Sequence, residues 1–362
     1  MNERHSLFSL MILLLLAFAT RTYGQTTPDH LLLKDYRPES IFRIPNVVVK
    51  SAKYKAIDMD SHPYATSQKQ LARWVHNMDS TGVRRTIILT DAYGKRFDSL
   101  AAYYSHYAKR FILFCGFNLT GYDKPGFGPA AVKELKRCYE EGARGVGELI
   151  DRSSGFVHCN PPAYWVHIDD PRLDPLLSEC AKLGMPVSIG IGQPQWFYGQ
   201  MDSTNDGLMS AYEHWFSMGW DLDLEQELQH LAHALASHPH NIFIACHFAN
   251  QITDLAELGK LFDKYPNIYA DISDRYAEMA TIPRYVKAFI QRHQDRILYG
   301  TDMGFGLDMY HMTFTILQTR DEHFYDFNLF NYHWPLYGLG LIGKTLKRVY
   351  WTNAAKLLNI EP

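Results

Sequence analysis

Several short apolar runs in this chain end in residues that bind metal ions or move protons. Ile57-Asp58-Met59-Asp60-Ser61-His62 places Asp60 and His62 two positions apart, on one face of an extended segment. The run from Gly145 ends at Glu148, the run Ala245-Cys246-His247 ends in an imidazole, and Ile297-Leu298-Tyr299-Gly300-Thr301-Asp302 ends in a further carboxylate. Such groups gathered in a buried mouth need partners, because an unpaired buried charge is costly. One divalent cation would satisfy them together. Taken singly, each is weak: a lone strand-end Asp is usually a turn or cap residue. His238 and His240, flanking Pro239, read as solvated. The specificity lies in the set, with each residue at the same end of its run.

The elements that must position these residues alternate. Eight strands are predicted, over Ala56–Asp60, Thr86–Thr90, Phe111–Phe117, Gly145–Leu149, Pro186–Ile191, Ile242–His247, Ile268–Ile272 and Arg296–Gly300. In the sixth, alternation would send Cys246 and His247 to opposite faces. Between the strands, apolar residues recur at helical spacing over Gln68–Met78, Ala130–Glu141, Leu255–Tyr265 and Pro283–His293. Strand followed by helix, repeated, implies a parallel sheet. Eight such units suit an α/β fold of the (β/α)8 TIM-barrel type, in one domain; a doubly wound open sheet is the alternative. One interval breaks the rhythm. Gln193–Asp223 carries Trp196, Phe197, Tyr198, Tyr212, Trp215, Phe216 and Trp220, and reads as a lid or pocket wall, or equally as a satellite core; the fifth helix follows over about Leu222–Ser237. Gln193, Trp196 and Tyr198 are candidates to line a substrate pocket.

Of 362 residues, 46% are hydrophobic, and 36 basic residues face 39 acidic ones. The balance speaks against nucleic-acid binding, and the apolar content against a mostly disordered chain. Arg4 and His5 precede an apolar run, Leu7–Ala19, and Thr22-Tyr23-Gly24 offers a cleavage site. Residues 1–24 therefore read as a signal peptide, 25–51 as an N-terminal leader and 52–362 as the barrel. The expected location is secreted or periplasmic, without stable membrane insertion after cleavage. The five cysteines contain no CxxC pair and read as buried apolar residues rather than bridges. Gly338-Leu339-Gly340-Leu341-Ile342-Gly343 follows no strand, so it is not read as a dinucleotide site.

Taken together, the stretches Ala56–His62, Gly142–Leu149, Ile244–Asn250, Tyr269–Ser273, Ile297–Asp302 and Val349–Ala354 resemble the amidohydrolase-related family. The resemblance is to its aminocarboxymuconate-semialdehyde decarboxylase-like branch, within the metal-dependent amidohydrolase superfamily of TIM barrels. It covers about Asp35–Asn359. The family pattern has His-x-His on strand one and a His on each of strands five and six. It closes with an Asp on strand eight. His62, His247 and Asp302 match. Asp60 stands where the first His is usual, and Gly190 where the strand-five His belongs. Glu148 resembles a strand-four acid that some superfamily members use as a ligand. The resemblance thus implies a divalent metal (Zn, Mn or Fe) held by Asp60, His62, Glu148 and Asp302. Asp302 would take a proton from a bound water and His247 would stabilise an oxyanion. The expected activity is hydrolysis of an amide, ester or lactone in a small molecule. Loss of CO₂ from a carboxylated substrate is the alternative, and Gly190 leaves room for a metal-free lactonase or a binding protein. Arg275, just beyond strand seven, would clamp a substrate carboxylate.

Overall fold

The computed structural model describes residues 27–215 and 222–361. The signal peptide expected over 1–24, and Phe216 and Trp220 of the aromatic interval, lie outside the described residues. The chain divides into two compact units, Met1–Pro38 and Glu39–Pro362. In the described part of the first, Leu33–Asp35 forms a single 3-10 turn.

Among the described residues the second unit holds ten strands: a short antiparallel pair, Gly155–Phe156 with Ala163–Tyr164, and eight parallel ones at the eight expected places. The eight are β1 (Ala56–Asp58), β2 (Val83–Leu89), β3 (Phe111–Phe114) and β4 (Val146–Asp151), followed by β5 (Val187–Ile191), β6 (Phe243–Ala245), β7 (Ile268–Asp271) and β8 (Ile297–Leu298). They form two parallel sheets, ordered β1-β2-β3 and β8-β7-β6-β5-β4. A parallel bridge from Cys115 to Val146 joins β3 to β4, and Met59 N donates to Tyr299 O at 2.9 Å beside β1 and β8. Every residue of β5 is buried, as in parallel sheets covered on both faces.

Helices alternate with the strands, and their ends are written in the sequence. Ser67 caps the helix Gln68–Thr81 by accepting from Gln70 N, and Gly82 ends it in a left-handed conformation (φ 82°). That stop delivers the chain directly into β2. Two apolar layers result. One lies between strands and helices and includes Trp74, Ile88, Val187, Ile189 and Phe289. The other joins Ile57, Met59, Ile87, Leu89, Phe114, Ile244 and Leu298 to Ala354, Ala355 and Leu357 of the last helix.

Three expectations need correction. The sixth strand stops at Ala245 rather than His247, because His247, Phe248, Ala249 and Asn250 all adopt left-handed φ of 52–59°. Cys246 and His247 therefore do not part to opposite faces: the Cys246 Sγ belongs to one group of possible ligands with Asp60 and Asp271, and His247 also faces Asp60. Four consecutive left-handed residues are strained; Asn250 Nδ2, bonded to Ile191 O (2.9 Å) and Gly192 O (3.2 Å), helps hold them. His238 is not solvated, since its Nε2 lies 3.2 Å from Asp174 Oδ1 and its side chain is 11% exposed. The aromatic interval contains a 3-10 turn, Gln195–Phe197, and a helix, Leu208–Trp215, before the capped helix Leu224–Ser237. All five cysteines are buried and free. No helix among the described residues is long and apolar enough to cross a membrane.

Candidate active site

Residues just beyond the carboxyl ends of β1, β6 and β8, together with Glu148 within β4, converge on one point. His62 Nε2 lies 3.1 Å from Asp302 Oδ1, 3.7 Å from Glu148 Oε2 and 3.8 Å from Asp60 Oδ1. His247 Nε2 lies 3.3 Å from Asp60 Oδ2 and 3.4 Å from Asp302 Oδ2. Asp60, Glu148 and His247 are buried, while His62 and Asp302 are partly open to the mouth. All five residues proposed from sequence for metal binding or catalysis are in this cluster.

Four of the five are held from behind. His62 Nδ1 lies 3.0 Å from the Leu89 carbonyl, which can only accept, so Nδ1 carries a hydrogen and Nε2 is the atom presented to the carboxylates. Tyr64 OH donates to Asp302 Oδ1 at 2.6 Å. Ser273 Oγ lies 2.7 Å from Asp60 Oδ2 and 2.5 Å from Asp271 Oδ1. Asp271 Oδ1 also accepts from His247 N at 3.0 Å. Glu148 has a singular place: a Cβ built on Gly190 would fall 2.1 Å from Glu148 Oε1. The Glu148 carboxylate thus fills the space that a side chain at position 190 would need.

The electrostatics are strongly negative. Burial opposes charge on His62 and His247, yet the neighbouring carboxylates win and push both imidazoles up to about 10. Burial raises Glu148. Asp302 goes the other way: burial would raise it, but His62, His247 and the Tyr64 hydroxyl hold it down to about 2. Asp91 and Asp271 are each pushed up to about 7, chiefly by burial.

These residues fit a divalent cation. Donor atoms of Asp60, His62 and Asp302 lie within 4.8 Å of one another. Asp60 Oδ1, Glu148 Oε1 and His247 Nε2 are buried without a hydrogen-bond partner, a costly state that a ligand would relieve. A cation here would displace the proton that the carboxylates hold on His62. The oxygen-rich donor set suits Mn²⁺ or Fe²⁺ about as well as Zn²⁺.

The cluster opens into a cavity of about 360 Å³, lined by His247 and Asp302 at one end and by Arg152, Gln193, Arg275 and Tyr332 elsewhere. Arg275 reaches the cavity, but its Nη1 donates to Glu278 Oε1 (2.9 Å) and its Nη2 to Asp274 Oδ2 (2.6 Å). Trp196 and Tyr198, expected to line the pocket, do not line this cavity. Trp196 stands in a neighbouring groove and meets Tyr332 edge-on; Tyr198 OH turns away to Glu227 Oε2 at 2.5 Å. Sequence reasoning missed Tyr64, Asp91, Arg152 and Ser273. Tyr64 was within reach, two residues beyond His62 on the same run. Arg152 had the parity of Glu148, four residues on.

A sequence profile described as amidohydrolase matches residues 53–360. No curated protein matches the chain significantly. Among solved structures, 2,6-dihydroxybenzoate decarboxylase from Rhizobium is similar, with a TM-score of 0.56 and 16% identity over 85% of this chain and 99% of that one. A dihydroxybenzoic acid decarboxylase from Polaromonas, bound to manganese and 2-nitroresorcinol, gives 0.54 at 16% identity, covering 85% and 97%. 5-Carboxyvanillate decarboxylase from Sphingomonas paucimobilis gives 0.51 at 12% identity, covering 85% and 100%. At such identities the likeness is one of fold.

Proposed function

Because this chain belongs to the amidohydrolase family, we propose that it is a metal-dependent enzyme that removes CO₂ from a small carboxylic acid. The observation that carries this reading is the cluster of Asp60, His62, Glu148, His247 and Asp302, with its buried, unpartnered donor atoms. We take the two sheets as one closed (β/α)8 barrel, a view supported by the bonds that join β3 to β4 and β1 to β8. The names of structures alike in fold, decarboxylases in several cases and one with manganese, support the choice of reaction. The apolar N-terminal run supports export of the enzyme to the periplasm or medium.

Asp60, His62, Glu148 and Asp302 would hold the cation, which when bound draws charge from a substrate carboxylate and orients it. Leu89 fixes the His62 ring, and Tyr64 fixes Asp302. His247 lines the cavity, and its Nε2 lies 3.3 Å from Asp60 Oδ2 and 3.4 Å from Asp302 Oδ2. As the carbon–carbon bond breaks and CO₂ leaves, the electron pair stays on the substrate carbon. His247 Nε2 would deliver the proton that this carbon takes.

Hydrolysis of an amide, ester or lactone is the second reading, favoured by the ionised state of Asp302. It asks Asp302 to accept a proton while bound to Tyr64 and close to His62, and so stands behind decarboxylation. The test is metal content by mass spectrometry, coupled to CO₂ release from hydroxylated benzoic acids. Near-stoichiometric metal, lost in His62→Ala and Asp302→Ala, is expected. CO₂ release should cease in His247→Gln while metal is kept. No metal after incubation with Zn²⁺ and Mn²⁺ would sink the reading; ester cleavage without CO₂ would move it to hydrolysis.

A further inference from the structure

The cavity beside the cluster contains two arginines in unlike states. Arg275 is neutralised by Asp274 and Glu278, and Tyr332 OH adds a bond to the same Glu278 oxygen at 2.5 Å. Arg152 has no carboxylate within 4.0 Å among the described residues; with the Gln193 amide turned oxygen-inward, that oxygen accepts from Arg152 Nη1 and Nε. The carboxylates whose charge favours the Arg152 guanidinium are those of Glu148 and Glu227. Glu227 is occupied by the Ser153 amide and by Tyr198 OH, and Glu148 belongs to the cluster. Burial works against the charge on Arg152.

Arg152, one residue beyond β4, lines the same cavity as His247 and Asp302. Leu149 and Asp151 turn away, Leu149 into the core and Asp151 to His167 at 2.8 Å. Glu148, Ile150 and Arg152 share the other face. Arg152 lies four residues beyond Glu148, roughly 13 Å of extended chain. A ligand whose reacting end is at the cluster would meet Arg152 with its far end.

We propose that Arg152 forms an anion-binding subsite, positioned by Gln193, that grips an oxyanionic group of the substrate other than the group that reacts. The proposal rests on reading the cluster as the active site. A fork of N–H donors in a half-buried cavity pairs with a planar or tetrahedral oxyanion better than with a neutral group.

The test is isothermal titration calorimetry of the full chain with benzoate, benzenesulfonate, phenyl phosphate and neutral benzamide, with Mn²⁺ and after chelation. At least one anion should bind and benzamide should not; the tightest of the three identifies the chemistry. Arg152→Gln should weaken anion binding at least about tenfold, with Arg152→Lys intermediate and both folded by circular dichroism. Chelation should change it by less than about threefold. The proposal is overturned if no anion binds, if Arg152→Gln leaves binding unchanged, or if chelation alone abolishes it. If the protein holds no metal and yet binds anions through Arg152, the subsite stands and the decarboxylase reading falls.

Discussion

Two clusters in this protein are built from the same residue types, and they differ in whether their atoms are satisfied. Beside β4, His167 Nδ1 meets Asp151 Oδ1 at 2.8 Å, and His230 and His233 share Asp169 at 2.8 and 3.2 Å. The second oxygen of Asp151 accepts from Ile168 N at 2.8 Å, and the His167 and His230 rings stack 4.0 Å apart. Each imidazole there has its own carboxylate oxygen. At the mouth, two imidazoles face three carboxylates, and donor atoms of Asp60, Glu148 and His247 remain buried without hydrogen bonds. The first cluster is complete as protein; the second is complete only with something added. Histidines and acids in proximity do not mark a site, whereas histidines and acids with unmet valences do.

That contrast can be broken at several points. The largest effect is expected at Gly190. Gly190→His would drive a side chain into the space of Glu148, and Mn²⁺ affinity should fall about 100-fold. Adding Glu148→Gly to that variant should recover most of the loss, because the ligand returns from the neighbouring strand; titration with Mn²⁺ checks both. A full-affinity Gly190→His single variant would show that Glu148 does not occupy that space. Tyr64→Phe, which frees Asp302 Oδ1 from its hydroxyl, should weaken metal binding about tenfold with no change in fold.

In the satisfied cluster the effects should fall on stability instead. His167→Ala should cost about 1–3 kcal/mol in urea unfolding while metal content stays at the wild-type level. The cost should depend on pH. Burial lowers the proton affinity of His167, but Asp151 and other acids overcome it and raise the value above 6.5. The folded state then holds the proton more tightly than the unfolded state. This contribution is full below 6.5 and is lost as pH rises through the higher folded value. The gap between wild type and His167→Ala should therefore narrow as pH rises above 6.5. Smallest of all is His233→Ala, whose side chain is 70% exposed; unfolding should move by no more than about 0.5 kcal/mol.

Much of this was legible before any coordinates. The eight parallel strands and five of the helices between them follow from apolar runs and helical spacing, since both periods arise from the local geometry of the backbone. The helices Gly94–Tyr104, Asp174–Leu183 and Leu307–Gln318 did not stand out. Asp60 and His62 do come together, as a two-residue step on an extended run suggests, although β1 itself ends at Asp58. Ser67 and Gly82 mark the ends of a helix by chemistry that acts within a few residues. What escaped was non-local. The turn of left-handed residues at His247–Asn250 is held by Asn250 reaching the chain beyond β5, and by Asp271 reaching the His247 amide. Nothing near His247 in sequence announces it. Gly190 read from the sequence looks like a lost ligand, and only the adjacent strand shows Glu148 in its space. Arg275 and Arg152 are alike as letters; the three-dimensional arrangement gives one two carboxylates and leaves the other facing a cavity. Local order was set by the chain's own period, but the unmet valences that define the site depend on which distant atoms arrive beside each group, and those partners are assigned only when the strands assemble.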